Sequence, residues 1–245
     1  MRSFVPRQSS ESERLDGTID DLRLLRANLR DMARANRWLG THRAVTGRVS
    51  EWLQSVPPGY TLRVLDVATG GADLPQALQR WSEREGRALT LLASDIRRDV
   101  LRIAQHTTRH TSIQLFQSDA LALPFADGGV DIVTCTQALH HFSRDAAVRL
   151  LRELARVARI GVIVNDLRRS YIAYWGARLL AYGPVSPLSR HDGPLSVLRA
   201  YTPSELNALV HQAHLPARVR RASGFRLEVD IQQTMPGYEA TERCV

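Results

Sequence analysis

The chain has 245 residues, 44% hydrophobic and 24% charged, ordinary values for one large globular domain or a domain with an appendage. No apolar run approaches the roughly 18 residues of a membrane span. The polar N-terminus, MRSFVPRQSSESERLDG, lacks the apolar core of a signal peptide. A net charge of +8 raises the question of a nucleic-acid partner. Every basic residue is arginine, however, with local density only at Arg97-Arg98, Arg168-Arg169 and Arg218-Arg220-Arg221. That scatter reads as compositional bias and a solvated surface, so nucleic acid is disfavoured. Cys135 and Cys244 are the only cysteines, which excludes a disulfide framework and places the chain in a reducing, cytoplasmic compartment.

Taken in order, residues 1–17 are polar. A helix is predicted over 18–39, with Ile19, Leu22, Leu25, Leu29, Met32 and Ala33 at steps of three and four and Gly40 as its C-terminal cap. A second helix spans about 41–54 and stops before Pro57-Pro58-Gly59. Both precede the first strand, which separates an N-terminal tail and helical unit (1–59) from the main domain (60–245).

Residues 62–75, LRVLDVATGGADLP, organise the rest. Leu62, Val64, Leu65 and Val67 read as a buried parallel strand, Thr69-Gly70-Gly71-Ala72 as a turn open to close backbone approach, and Asp73 as the cap of a helix carrying Leu74, Ala77 and Leu78. Strand, glycine turn and helix make the first crevice of a doubly wound sheet. Asp66 at the strand end would repel a phosphate and suits a ligand bearing an ammonium and a sulfonium. The segment resembles motif I of class I S-adenosylmethionine-dependent methyltransferases. It departs at Ala68 and Ala72, where that family usually has glycine and where a positive φ would strain alanine.

A second strand at 88–94 (ALTLLAS) ends in Asp95, one βα unit on, where an acid accepts from ribose hydroxyls; Ile96 can lie against the adenine. A helix over 97–107 leads to a third strand, 112–117, and to Ser118-Asp119-Ala120-Leu121. That run resembles the family's acidic-Ala segment, whose aspartate accepts from the adenine amino group. Three acids at three successive strand ends are far more specific than any one. The fourth strand is 130–136 (VDIVTCT), followed by Gln137-Ala138-Leu139-His140-His141-Phe142, a helix over 144–159 and a fifth strand over 160–165. The ALHHF segment and IGVIVND resemble the same superfamily, although ARVARIG replaces its usual Leu-Lys-Pro-Gly-Gly turn. The likeness covers about residues 60–166, in the manner of small-molecule methyltransferases of quinone (UbiE-like) and secondary metabolism.

Beyond it, an aromatic helix at 171–182 and a loop at 184–199 form an insertion (about 167–199) over the carboxyl ends of the strands. Thr202-Pro203-Ser204-Glu205 carries a capping box that opens a further helix. Strands at 217–222 and 225–231 close the fold. The expected architecture is α/β: a seven-stranded Rossmann-like doubly wound sheet with an antiparallel last strand, an N-terminal helical lid and an insertion after strand five. The lid follows from the resemblance; packing on the sheet edge is the plainer role of those helices.

The resemblance implies S-adenosylmethionine as cofactor, held by Asp66, Ala68, Gly70, Gly71, Asp95, Ile96, Asp119, Ala120 and Thr136. His140 and His141 lie just past strand four, where the methyl is transferred. A histidine titrating near neutrality suits removal of a phenol's proton. His140 is assigned that role, with Asp166 in support, and His141 a structural one. Asn165, Tyr171, Tyr174, Trp175 and His191 are assigned to the acceptor, His191 paired with Asp192. Bland readings stand beside these: a helix cap for Asn165-Asp166, a core stripe for the aromatics, an exposed turn for His191. No CxxC, HExxH or GxxxxGK[ST] occurs, so no metal or P-loop is expected. The reading is methyl transfer to oxygen, or carbon, of a phenolic, quinone or polyketide-like metabolite. An RNA or protein methyltransferase and a non-catalytic cofactor-binding accessory protein are the alternatives, and a homodimer is left open.

Overall fold

The computed structural model describes residues 5–54, 56–57 and 59–233; Cys244 lies outside them. Seven strands form one sheet: β1 (Leu62–Val67), β2 (Leu89–Asp95), β3 (Gln114–Gln117), β4 (Val130–Thr136), β5 (Ala158–Leu167), β6 (Ala217–Ala222) and β7 (Arg226–Gln232). Their order is β3-β2-β1-β4-β5-β7-β6. β1 through β5 run parallel, and β7 is antiparallel to both β5 and β6. The winding reverses between β1 and β4, and that switch point opens a crevice at the carboxyl ends of the strands.

Among the described residues, eight α-helices flank the sheet: α1 (Leu22–Trp38), α2 (Thr41–Leu53), α3 (Asp73–Glu85), α4 (Arg98–Thr108), α5 (Arg144–Val157), α6 (Tyr171–Leu180), α7 (Pro187–Arg199) and α8 (Pro203–Ala213). Leu65, Val67, Val133, Cys135, Val162 and Val164 pack in one layer with Leu150, Leu151 and Leu154 of α5 and Leu206 and Leu209 of α8. Leu62, Val64, Ile132 and Ile163 pack in the other with Val45, Val49 and Trp52 of α2 and Leu74 and Leu78 of α3. Cover on both faces explains why the central strands are almost wholly apolar. A Cβ on Gly161 would lie 2.5 Å from Ile231 O and 2.8 Å from the Trp52 ring, so α2 can seat on β5 only where that side chain is absent. α2 is therefore part of the core, while α1 lies over the glycine turn through Leu25 and Leu29 and touches Val100 and Ile103 of α4.

Most predicted elements form within a few residues of their expected limits. α1 begins later, at Leu22, because Asp21 caps it by accepting from Arg23 and Leu24 N–H. The Thr202–Glu205 capping box is present, and Glu205 also pairs with Arg169. The loop expected at 184–199 is instead α7. Ser186 caps it, Pro187 sits in its first turn, and Asp31 accepts from Ser186 N–H (2.7 Å) and Ser189 Oγ (2.8 Å). Gly193-Pro194 inside the helix hides the periodicity, and burial of Leu188, Leu195 and Val197 overrides them. The aromatic helix α6 also departs from expectation. Tyr171, Ile172, Trp175, Leu179 and Leu180 face solvent, and only Ala173 is buried. No described helix is long and apolar enough to cross a membrane.

Candidate active site

The glycine turn and its acids form a cradle at the ends of β1, β2 and β3. Ala68, Gly70 and Ala72 all have positive φ (56°, 55° and 59°), so the chain folds sharply back after β1. Each left-handed alanine costs roughly 1–2 kcal/mol. Asp66 is buried, accepting from Thr69 Oγ1 and Thr134 Oγ1, both at 2.7 Å. Burial pushes its carboxyl up to about 7 against those hydrogen bonds, with Asp73 and Asp95 adding to the rise. Asp95 accepts from Gly70 N–H through one oxygen and Arg97 N–H through the other, both at 3.0 Å, which locks the β1 turn to β2. Each oxygen keeps a further lone pair for a ligand hydroxyl. Burial raises this carboxyl as well. Asp119 is exposed, its Oδ1 accepting from Leu121 N–H at 2.9 Å; Ala120 is buried and Ile96 exposed. Thr136 is half-buried at the end of β4. A buried acid short of positive charge, a hydroxyl-accepting acid and an exposed apolar side chain fit the ammonium, ribose and base of S-adenosylmethionine. Leu29 covers the turn: its side chain lies 3.5 Å from where a Gly71 Cβ would stand.

The second half of the site stands where β4 and β5 end. Gln137, at φ 52°, turns the chain sharply and donates its N–H to Asn165 O (2.8 Å). A single 3-10 turn, Leu139–His141, then brings His140 back onto β5. Asp166 accepts from His140 Nδ1 at 2.6 Å and from His140 N–H at 2.9 Å, which fixes the ring. The structure thus joins two predicted site residues into one dyad. On the far side, His140 Nε2 faces Glu13 Oε1 at 3.5 Å. Burial pulls the imidazole down, but Asp166 and then Glu13 outweigh it and hold it up at about 10. The expectation of a histidine titrating near neutrality therefore fails in this arrangement, because carboxylates face both ring nitrogens. Burial would raise Asp166 and Glu13, and their contacts with His140 hold both below the usual carboxylate range.

Glu13 belongs to a strap formed by residues 5–21, pinned across the insertion. Ser9 N–H donates to Leu198 O (3.1 Å), Gln8 Nε2 to Arg199 O (2.8 Å), and Arg97 Nη1 to Leu15 O. Asp192 accepts from Arg14 and Leu15 N–H at 3.0 and 2.9 Å. His191 bonds Asp192 at 2.7 Å, so this pair anchors the strap and stands apart from the dyad. His141 is half-buried, held by Asp16 Oδ1 at 2.6 Å, and Arg199 also pairs with Asp16. Glu13, His140 and His141 bring ligand atoms within 4.8 Å of one another, a spacing an ion could bridge. Arg199 Nε, 3.8 Å from Glu13 Oε1, already sets a positive charge there. The exposed Tyr171 and Trp175 do not line this centre; Tyr174, half-buried, packs edge-on to Trp175. Exposure of α6 argues against the core-stripe reading of Tyr171 and Trp175.

Sequence reasoning missed Glu13, Asp16, Arg199, Asn36 and Arg226. Only the Glu13–Asp16 pair left a local signal, its reciprocal capping of one turn.

Comparison with known proteins agrees with this geometry. The family profile described as "Methyltransferase domain" matches residues 64–161. The chain is 28% identical over 176 residues to the ubiquinone biosynthesis O-methyltransferase of Ralstonia nicotianae, covering 69% of this chain and 70% of that protein. It is 34% identical over 128 residues to the ubiquinone/menaquinone biosynthesis C-methyltransferase UbiE of Stenotrophomonas maltophilia, covering 50% of this chain and 47%, about half, of that relative. In fold it is similar to a SAM-dependent methyltransferase from Aquifex aeolicus, with a TM-score of 0.59 at 18% identity, covering 85% of this chain and 98% of that one.

Proposed function

Because the chain belongs to the class I S-adenosylmethionine-dependent methyltransferases, of UbiE-like type, we propose that it methylates the oxygen of a small phenolic or quinol metabolite. The observation that carries this reading is the buried His140–Asp166 dyad at the end of β4, beside the cradle. S-adenosylmethionine supplies a methyl group already activated on sulfonium. What remains for the protein is alignment and, for a hydroxyl acceptor, removal of a proton.

Asp66, Asp95 and Asp119 would hold the cofactor at its ammonium, ribose and base. Leu29 and α1 act as the lid that excludes water above the glycine turn. The acceptor hydroxyl takes the place of the Glu13 carboxylate at His140 Nε2. As Glu13 leaves it takes the Nε2 proton with it as a carboxylic acid, and with one of the two anions gone His140 is left neutral, Nδ1–H on Asp166 and Nε2 free to accept. Nε2 would then take the acceptor's hydroxyl proton, Asp166 would stabilise the imidazolium, and the bound cofactor would supply the methyl to that oxygen with S-adenosylhomocysteine as the leaving group. His141 and Asp16 hold the strap and not the proton.

A ring carbon beside a phenolate is the second reading, favoured by likeness to a relative named as a C-methyltransferase. It needs the same proton removed. A panel of phenols and quinols assayed for S-adenosylhomocysteine formation tests both, and mass and NMR analysis of the product tells O-methyl from C-methyl. No turnover with any of them, alongside methylation of RNA or protein, would overturn the small-molecule reading.

A further inference from the structure

Arg226 is the first residue of β7 and among the most deeply buried side chains of the protein, 1% exposed. It stands opposite Leu167, at the carboxyl end of β5. Of its donors, Nη2 reaches Asn36 Oδ1 at 3.2 Å, while Nε and Nη1 have no hydrogen-bond partner. Among the described residues, no carboxylate lies within 4 Å of it. The acids whose charge acts on it, Asp166 and Asp73, are both committed elsewhere. Asp166 serves His140 and Leu167 N–H, and Asp73 serves His42 (2.7 Å) and Asn36 (3.1 Å). Farther along the strand, Asp230 pairs with Arg48 (3.3 Å) and Arg220 (2.7 Å), and Glu228 also pairs with Arg220. β7 thus provides its other buried charges with partners and leaves Arg226 without one.

The surroundings of Arg226 are polar and lie at the carboxyl ends of β4 and β5. Asn165, two residues before Leu167, projects to the same face by strand alternation; it is fully buried, and both of its amide atoms lack partners. Gln137 donates through Nε2 to the same Asn36 oxygen that Arg226 uses, from a backbone held at positive φ. Asn165 pairs with Thr136 in the ladder, as Asp66 pairs with Thr134, so this cluster continues the cradle's row of strand ends. A buried guanidinium without an anion is strongly unfavourable, and an apolar side chain would fill the same volume better. Unpaired donors on a fixed fork match the geometry of a carboxylate.

We propose that Arg226, with Asn36, Gln137 and Asn165 around it, is a carboxylate-binding site that takes the carboxylate of a ligand seated in the crevice. Two ligands can bring that group: the methionyl part of the cofactor, or an acceptor that carries a carboxylate. The second source rests on the phenolic reading above; the first does not.

Calorimetry on the full chain separates the sources. The first arm compares S-adenosylhomocysteine with its decarboxylated analogue. The second compares 3,4-dihydroxybenzoate with catechol, each titrated in the presence of S-adenosylhomocysteine. The wild type should prefer the carboxylate-bearing member of one pair by about 10–100-fold, the range of a charge-assisted hydrogen bond. Arg226→Met should bring that ratio near one and leave the other ratio unchanged. Arg226→Lys should keep part of the preference, because it retains the charge and loses the fork. If the methionine variant does not fold, Arg226→Gln provides the same comparison. A preference lost in the first arm assigns the cofactor; one lost in the second assigns the acceptor. The site is refuted if the wild type shows neither preference, or if both survive in a folded Arg226→Met or Arg226→Gln. Loss in the first arm with no phenol methylated would uphold the site and refute the phenolic reading.

Discussion

The two halves of the crevice are built in different ways. In the cradle, the acids hold the turns they stand on and tie them to neighbouring strands: Asp66 holds Thr69 and Thr134, Asp95 holds Arg97 and Gly70 N–H, and Asp119 holds Leu121 N–H. In the acceptor half, partners come from far along the chain: Glu13 against His140, Asp16 against His141, Asn36 against Arg226. The first half rests mainly on contacts among the strand ends, and the strap touches it where Arg97 donates to Leu15 O. The second half exists only while the strap and α1 are seated, so its chemistry and its access are one problem.

The largest expected effect breaks the acceptor half and spares the cradle. His140→Ala should reduce kcat with a phenolic acceptor by about 10²–10⁴-fold, the usual cost of losing a positioned base. Asp166→Asn should follow it closely, since it misorients the ring and removes the counter-charge. Both should bind S-adenosylhomocysteine as the wild type does, measured by calorimetry. Equal loss of cofactor affinity would mean that the halves are not separable. His141→Ala should lower stability more than turnover.

The reverse experiment follows in size. Asp95→Ala removes the acceptor for ribose hydroxyls and unlocks Gly70, and should weaken cofactor binding by about 1.5–3 kcal/mol. The dyad should be unaffected, so kcat at saturating cofactor should change little. Unchanged affinity in calorimetry would refute the ribose assignment.

A pH experiment reports on the seam between the halves. The His140 imidazole is held at about 10 in the fold and titrates near 6.5 when unfolded. A raised histidine contributes stability that is complete below about 6.5 and is lost as pH rises through about 10. The thermal midpoint should therefore decline from pH 7 to 10. Glu13→Gln removes one of the two anions, so the decline should finish at lower pH; His140→Gln should remove this part of it. A Glu13→Gln profile that overlays the wild type would show that Glu13 does not face the ring in solution.

This contrast also explains what the sequence discloses. Apolar runs, glycine turns and strand-end acids made the strands and the glycine turn legible, and the resemblance to class I methyltransferases gave the doubly wound sheet with its antiparallel last strand. The dyad was half-legible: His140 and Asp166 were both marked, but nothing in the spacing joins them, because the join depends on how β4 and β5 register. Glu13 and Arg226 were illegible, since each acquires its role from a partner more than a hundred residues away. For α6 the spacing left two readings, acceptor lining or core stripe, and the exposure of Tyr171 and Trp175 argues against the second.

The smallest expected effect tests the two left-handed alanines of the cradle. Ala68 and Ala72 occupy left-handed conformations that glycine adopts without strain. Ala→Gly at either site relieves roughly 1–2 kcal/mol of backbone strain. Against this, glycine enlarges the entropy of the unfolded chain by roughly 0.5–1 kcal/mol. Loss of a buried methyl costs up to about 0.8 kcal/mol more. Ala72 is fully buried, so all three terms act there and the change should be close to neutral. Ala68 is only half-buried, so its methyl contributes less and Ala68→Gly should stabilise by up to about 1 kcal/mol. Thermal unfolding of the two variants side by side gives the ordering. If Ala72→Gly gains as much as Ala68→Gly, the buried methyl contributes nothing and backbone strain alone sets the balance. If Ala68→Gly destabilises, the turn is not left-handed at residue 68 in solution, and the cradle must close by another route.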